Sequence, residues 1–235
     1  MSFPYAAVIF DMDGLIFDTE PLYRTAWQRA SAQLGFDLTD AIYLRLIGLG
    51  RTGSERVLSA EFGPAFSPEK FRSLCKAIER EVLATTPPAE KPGFRALLDF
   101  LKSQNVPMAL ATSTDRAVAD IHLTRASLTS SFAVSIAGDE VQHAKPAPDL
   151  YLRAAEKLAA APQRCLVLED SAPGVFAARS AGMDVFVVPD QIAPSPEVVT
   201  AAAGVFGSLF DVKSRLESEL LPEARTLRAR NDSGI

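Results

Sequence analysis

The chain has 235 residues, enough for one sizeable domain or a domain carrying an insertion, and a hydrophobic content of 48% excludes disorder. No apolar run is long enough to span a bilayer, and the start MSFPYAAVIFD lacks the basic and small-residue marks of an export signal. A net charge of -5 without a Lys/Arg cluster argues against nucleic acid as a partner, and two distant cysteines, Cys75 and Cys165, read as reduced thiols of a cytoplasmic protein.

In chain order, AVIFDMDGLIFDTE (7–20) opens as a buried strand that ends in two aspartates one residue apart, followed by glycine. Four amphipathic stretches come next, TEPLYRTAWQRASAQLG, AIYLRLIGLG, TGSERVLSAEFG and SPEKFRSLCKAIEREVLA, all with helical spacing and none with a convincing strand. The Pro-rich TTPPAEKPG cannot continue a helix and closes this segment. From residue 94 onward, short apolar runs alternate with helical patterns. The runs are VPMALAT (106–112), FAVSIAGD (132–139), RCLVLED (164–170) and MDVFVVPD (183–190). Strand and helix in alternation predict an α/β fold, a parallel sheet with helices on both faces. The helical stretch then reads as an insertion, which gives a core of 1–17 and 89–222, a helical cap of 18–88, and a polar tail of 223–235.

A parallel sheet of this kind puts its ligand site beyond the carboxyl ends of the strands. Each predicted strand has polar residues there: Asp11, Thr112, Asp139, Glu169 with Asp170, and Asp190. Asp11 and Asp13 repel unless a cation binds or one stays protonated, which suits a carboxylate nucleophile beside a proton shuttle. The bland alternatives are a solvated turn or a calcium loop, although LIFDTE supplies the wrong ligands for the latter. Glu169 and Asp170 form a second acidic pair, and carboxylates from two strands make a hard-oxygen site suited to Mg²⁺; the alternative is that Asp170 only caps the next helix. Lys145 stands in HAKPAPDLY, where two prolines stiffen the loop, and would serve wherever negative charge gathers. Thr112, Ser113 and Thr114 offer hydroxyls and N–H groups to phosphate oxygens, or Ser113 or Thr114 is an ordinary N-cap. His122 and His143 are the only histidines and read as structural or solvent-facing.

VIFDMDGLIFDTE, LATST, HAKPAPD and LVLEDSAPGVFAARSAGM, in this order, resemble the four motifs of the haloacid dehalogenase-like superfamily. Within it the chain is similar to the branch of β-phosphoglucomutase-like phosphatases, with a Rossmann-like core and a helical cap after the first motif. The resemblance implies that Asp11 attacks phosphorus to form an aspartyl phosphate, while Asp13 protonates the leaving oxygen and later activates water. It implies that Thr112 binds the phosphoryl group and that Lys145 balances charge. Mg²⁺ would be held by Asp11, the Asp13 backbone carbonyl and Asp170, with Glu169 joining directly or through water. Gly14, Glu20, Arg51, Ser113 and Thr114 are the implied substrate contacts, and the substrate is a small phosphorylated metabolite handled by a monomer. Sugar phosphomutases of this branch keep a cap-side histidine where this chain has Tyr23, so the resemblance favours hydrolysis, with a mutase as the alternative. An interaction protein on a retired scaffold is the non-enzymatic alternative, and the intact Asp11, Asp13, Lys145 and Asp170 argue against it.

Overall fold

The structure, a computed structural model, describes residues 3–47 and 49–220, without the side chains of residues 50–52, 83 and 84. The predicted tail at 223–235 and the side chain of Arg51 lie outside the described residues.

Strand β1 (Ala7–Phe10) is followed by the two-residue β2 (Phe17–Asp18) and four helices, α1 (Glu20–Gln33), α2 (Asp40–Leu44), α3 (Gly50–Phe62) and α4 (Pro68–Thr85). Strand β3 (Ala89–Glu90) leads back to α5 (Phe94–Ser103), β4 (Met108–Ala111), α6 (Arg116–Arg125) and β5 (Val134–Ile136). The chain then runs through α7 (Asp149–Lys157), β6 (Cys165–Glu169), α8 (Ala172–Ser180) and β7 (Asp184–Val187) to α9 (Pro196–Ala201), β8 (Gly204–Val205) and α10 (Leu209–Glu219). Six strands form one parallel sheet in the order β5-β4-β1-β6-β7-β8. β1 lies inside it, with Val8 paired to Met108 on one side and Leu166 on the other. The chain leaves β1 toward β4 and later crosses to β6, so the crevice at the carboxyl end of β1 is the switch point of the sheet. Asp11 is the first residue past that end.

Alternation along the strands divides the interior into two layers. Val8, Phe10, Leu110 and Leu168 face one side and pack with Leu97 and Leu101 of α5 and Leu216 of α10. Ala7, Ile9, Ala109 and Val167 face the other and pack with Leu150 and Tyr151 of α7 and Val175 of α8. Because both faces are covered, the strands read as unbroken apolar runs, which is why their positions are visible in the sequence. Helices α1 to α4 bury a separate core that includes Ala26, Ala30, Tyr43, Leu58, Phe71 and Ile78. Ser67 starts α4 by accepting from the Lys70 N–H at 3.3 Å, and Pro68 fits the first turn, where no donor is needed.

The two connections between this helical segment and the sheet are not simple hinges. β2 and β3 pair antiparallel, Phe17 with Glu90 and Asp18 with Ala89, so Asp18, expected in an all-helical segment, belongs to a short ribbon at its base. Lys91 anchors the return: its N–H reaches the Ile16 carbonyl at 2.8 Å, and its Nζ pairs with Asp190 at 2.5 Å. β8, α9 and α10 carry no strong pattern and were not expected. No helix among the described residues is long and apolar enough to cross a membrane.

His122, on α6, is buried against the edge of the Phe17 ring at 5.6 Å, and neither ring nitrogen finds a hydrogen-bond partner. Burial lowers its pKa from 6.5, the Asp13 charge opposes this, and Arg125 adds to the lowering. The folded protein therefore holds it neutral while the unfolded chain protonates below pH 6.5, so stability falls as pH drops through that value. We expect His122→Leu to stabilise by about 1 kcal/mol near neutrality and to flatten this acid-side decline. Urea titrations of both proteins at pH values spanning the histidine range would check it, and a variant with an unchanged slope would show that another group sets it.

Candidate active site

The strand β1 delivers Asp11 to the crevice, where its N–H still continues the ladder by donating to the Leu168 carbonyl at 3.0 Å. The chain then turns sharply. Ile16 N–H returns to the Met12 carbonyl at 2.9 Å and Gly14 N–H to Phe17 at 2.8 Å. Gly14 occupies the left-handed region at φ +80°, and a Cβ there would stand 2.2 Å from Asp170 Oδ2. Only glycine combines that conformation with that approach. Gly14→Ala is therefore expected to push the Asp170 carboxylate aside and to weaken divalent-cation binding there roughly 10- to 100-fold, read by calorimetric titration of Mg²⁺ into the two proteins.

The turn separates the two aspartates that are neighbours in sequence. Asp11 Oδ1 accepts from Lys145 Nζ at 2.5 Å. Asp13 instead faces hydroxyls: its Oδ2 accepts from Thr114 Oγ1 at 2.6 Å and Thr112 Oγ1 at 3.2 Å, and its Oδ1 from the Tyr23 hydroxyl at 3.2 Å. Tyr23 comes from α1, so the helical segment reaches the crevice through this contact. A second contact joins Lys76 Nζ of α4 to Asp115 at 3.2 Å.

Lys145 is buried, not a surface lysine, and bridges Asp11 and Glu169, the latter at 2.7 Å. Its ammonium also lies 4.9 Å from the centre of the Tyr151 ring. Burial alone would lower its pKa, but Asp11 and Glu169 overcome that and hold it well above the usual lysine range. Glu169 is fully enclosed and saturated with donors. Oε1 accepts from Lys145 and from the Tyr151 hydroxyl at 2.7 Å; Oε2 accepts from the Asp170 and Ser171 N–H groups and the Ser171 hydroxyl, each at 2.9 Å. Burial pushes this carboxyl up, yet Lys145 and these donors hold it below the usual range. The helix cap at α8 is Ser171, whose Oγ accepts from Gly174 N–H at 3.2 Å, which leaves the Asp170 carboxylate free of capping. Likewise the N-cap position of α6 is Asp115, although its side chain makes no capping hydrogen bond, so Ser113 and Thr114 are not N-caps.

Asp11, Glu169 and Asp170 each present an oxygen within 4.8 Å of the others, a cluster that can hold a metal ion. Burial raises the Asp11 pKa to about 8; Lys145 opposes this, and Glu169 and Asp13 reinforce it. Burial, Glu169 and Asp11 likewise push Asp170 well above the carboxylate range. Two buried carboxylates and the half-buried Asp170 with a single ammonium are short of positive charge, and an all-oxygen donor set is the chemistry of a hard divalent cation.

The remaining expected residues divide. Gly14 packs on Asp170, and Glu20, Ser113 and Thr114 line a cavity of about 510 Å³ between the helical segment and the sheet. The Asp13 carboxylate lies on its wall and accepts from the two threonines. Tyr151 was missed, although it stands six residues after Lys145 in the same motif; its reach to Glu169 depends on how α7 packs across the sheet. Tyr23 had been noted only as a departure from the mutase pattern, and its contact with Asp13 was not foreseen.

The haloacid dehalogenase-like hydrolase family model matches residues 5–182. A phosphorylated carbohydrates phosphatase of Thermotoga maritima is 38% identical over 178 residues, 76% of this chain and 82% of the relative. The fructose-1-phosphate phosphatase YqaB of Escherichia coli is 35% identical, with 77% of this chain and 94% of that protein aligned. Among solved structures, CbbY of Rhodobacter sphaeroides in complex with xylulose-(1,5)-bisphosphate superposes with a TM-score of 0.74 at 25% identity over 88% of this chain and 96% of that one. A β-phosphoglucomutase of Clostridium difficile gives 0.73 at 26%, over 92% and 96%. The chain belongs to the haloacid dehalogenase-like hydrolases, in their β-phosphoglucomutase-like phosphatase branch. It is a phosphatase built on a Rossmann-like core.

Proposed function

We propose that this protein hydrolyses a small phosphomonoester, a sugar phosphate or a nucleotide-related metabolite, with Mg²⁺ and through an aspartyl phosphate on Asp11. The single observation that carries the reading is the split between the two aspartates. Asp11 sits among charged groups with Lys145 and Asp170, while Asp13 sits among hydroxyls on the cavity side. That split supports one carboxylate as nucleophile and the other as proton carrier.

In the first step an Asp11 oxygen bonds to phosphorus as the ester P–O bond breaks, and Asp13 gives its proton to the departing oxygen. In the second step Asp13 takes a proton from water, the water oxygen attacks phosphorus, and the bond to Asp11 breaks to release inorganic phosphate. Thr112 and Ser113 hold phosphoryl oxygens, and Lys145 neutralises charge that builds on them. Asp11, Asp170 and the Asp13 carbonyl would hold Mg²⁺, which supplies electrophilic stabilisation of the transferring group. Glu169, its oxygens already engaged, serves by fixing Lys145 and by reaching the ion through water.

We take 1–17 and 89–222 as the catalytic core and 18–88 as a cap whose closure, through Tyr23 and Lys76, excludes bulk water. Two buried free thiols support a reducing, cytoplasmic setting, and a monomer suffices for the chemistry described. The test is phosphate release from a panel of sugar phosphates, nucleotides and small phosphorylated metabolites, with and without Mg²⁺, using Asp11→Asn as control. Conversion of a hexose 1-phosphate to its 6-phosphate, with no phosphate released, would establish the mutase instead.

A further inference from the structure

Resting on the phosphatase reading, we infer that the alcohol half of the substrate carries a neutral heterocyclic ring with N–H donors, so that the substrate is a nucleoside 5'-monophosphate and not a bare sugar phosphate. The cavity beside Asp13 argues for this through its size, its surface and its charge.

At about 510 Å³ the cavity falls within the range of sites that enclose drug-sized ligands, roughly 300–1,000 Å³. A hexose would fill it poorly and leave water against apolar walls. Much of the wall is apolar: Trp27, Tyr43, Leu46, Ile47, Leu58 and Phe71 line it. A hexose carries hydroxyls around its whole rim, and those turned toward Leu46, Ile47, Leu58 or Phe71 would lose water without gaining a partner. A flat ring with polar atoms confined to its edge has apolar faces for that wall.

The charged groups select further. Glu79 accepts from Trp27 Nε1 at 3.1 Å, and Glu20 accepts from the Tyr43 hydroxyl. Each carboxylate keeps further lone pairs, so both offer acceptors to ring-edge N–H groups. The cations among the described lining residues are already paired, Arg72 with Glu55 at 3.4 Å and Lys76 with Asp115 at 3.2 Å. Asp13, Glu20, Glu55 and Glu79 outnumber them. Against these described side chains a second phosphate or a carboxylate on the leaving group would meet negative charge, and a neutral ring would not.

The experiment compares kcat/KM of the wild-type chain with Mg²⁺ for the nucleoside 5'-monophosphates, ribose 5-phosphate, a hexose 6-phosphate, a hexose bisphosphate and acetyl phosphate. Ribose 5-phosphate is the decisive control, being the same ester without its ring. At least one nucleoside 5'-monophosphate is expected to exceed it by about tenfold or more, and the bisphosphate to be the poorest of the sugar esters. Glu79→Gln and the milder Phe71→Leu should each reduce the nucleotide-to-ribose ratio, a comparison within one protein that a general loss of folding does not move. Equal or better turnover of ribose 5-phosphate or a hexose phosphate overturns the inference while leaving the phosphatase intact. So does a wild-type preference that survives both substitutions. No metal-dependent turnover of any ester, acetyl phosphate included, overturns the phosphatase reading and this inference with it.

Discussion

On the proposed mechanism, replacing Asp11 with asparagine is expected to reduce Mg²⁺-dependent phosphate release by about a thousandfold or more, because the amide cannot form the proposed acyl phosphate. The fold should survive, since the amide has nearly the shape of the carboxyl. The pH dependence of stability separates this expectation from a trivial loss of structure. In the metal-free protein, burial first and then Glu169 and Asp13 raise the Asp11 pKa from 3.8 to about 8, with Lys145 opposing. A raised acid is stabilising below its unfolded pKa, and that contribution is lost as pH climbs through the folded value. The Asp11 contribution to the stability of the metal-free wild type should therefore be lost between about pH 4 and pH 8, with Asp170 acting in the same sense and the neutral His122 in the opposite one. Asp11→Asn removes its share of that slope. Thermal melts across this range, with a chelator and then with Mg²⁺, would show it. Activity retained by the variant would remove Asp11 from the nucleophile's role.

Lys145→Met is the second large effect. The ammonium is buried between Asp11 at 2.5 Å and Glu169 at 2.7 Å, so its removal strands two enclosed carboxylates with no protein cation between them. Breaking a buried pair in this way costs on the order of 3–5 kcal/mol of stability, and, in the role proposed for Lys145, losing the charge that neutralises the phosphoryl group is expected to lower kcat by about 10²–10³. Part of the stability should return with Mg²⁺, because an ion that binds the folded chain stabilises it by mass action. Denaturant midpoints with and without Mg²⁺ measure this directly. A variant as stable as wild type without metal would mean that the Glu169 donors alone satisfy the cluster.

The core strands were legible for a physical reason. A parallel strand covered on both faces must be apolar at every position, and runs such as AVIF and CLVLE are short, dense and followed by polar residues. The pairs β2 and β3 were invisible because two residues carry no period; their pairing depends on Ile16 and Lys91 meeting across the base of the helical segment. β8, α9 and α10 are bounded by weak patterns and take their place from packing against β7, α8 and α5 respectively. The identities of Asp11, Asp13, Thr112, Lys145 and Asp170 as candidates followed from motif order and strand ends.

Local sequence determined which residues reach the edge of the sheet, since a strand's period and a turn's glycine act over a few positions. Direction and partnership were decided only by the tertiary fold. Asp11 and Asp13 are two residues apart yet face different partners, because the turn at Gly14 packs against Asp170 from a strand more than a hundred residues away. Glu169 stands in the sequence only as an acidic neighbour of Asp170, whereas in the fold its oxygens accept from Lys145, Tyr151 and Ser171. Tyr23 looked like a missing histidine until α1 carried its hydroxyl to Asp13. Charge balance and hydrogen-bond saturation depend on every group within a few ångströms, and such groups are gathered from across the chain by packing, not by spacing along it.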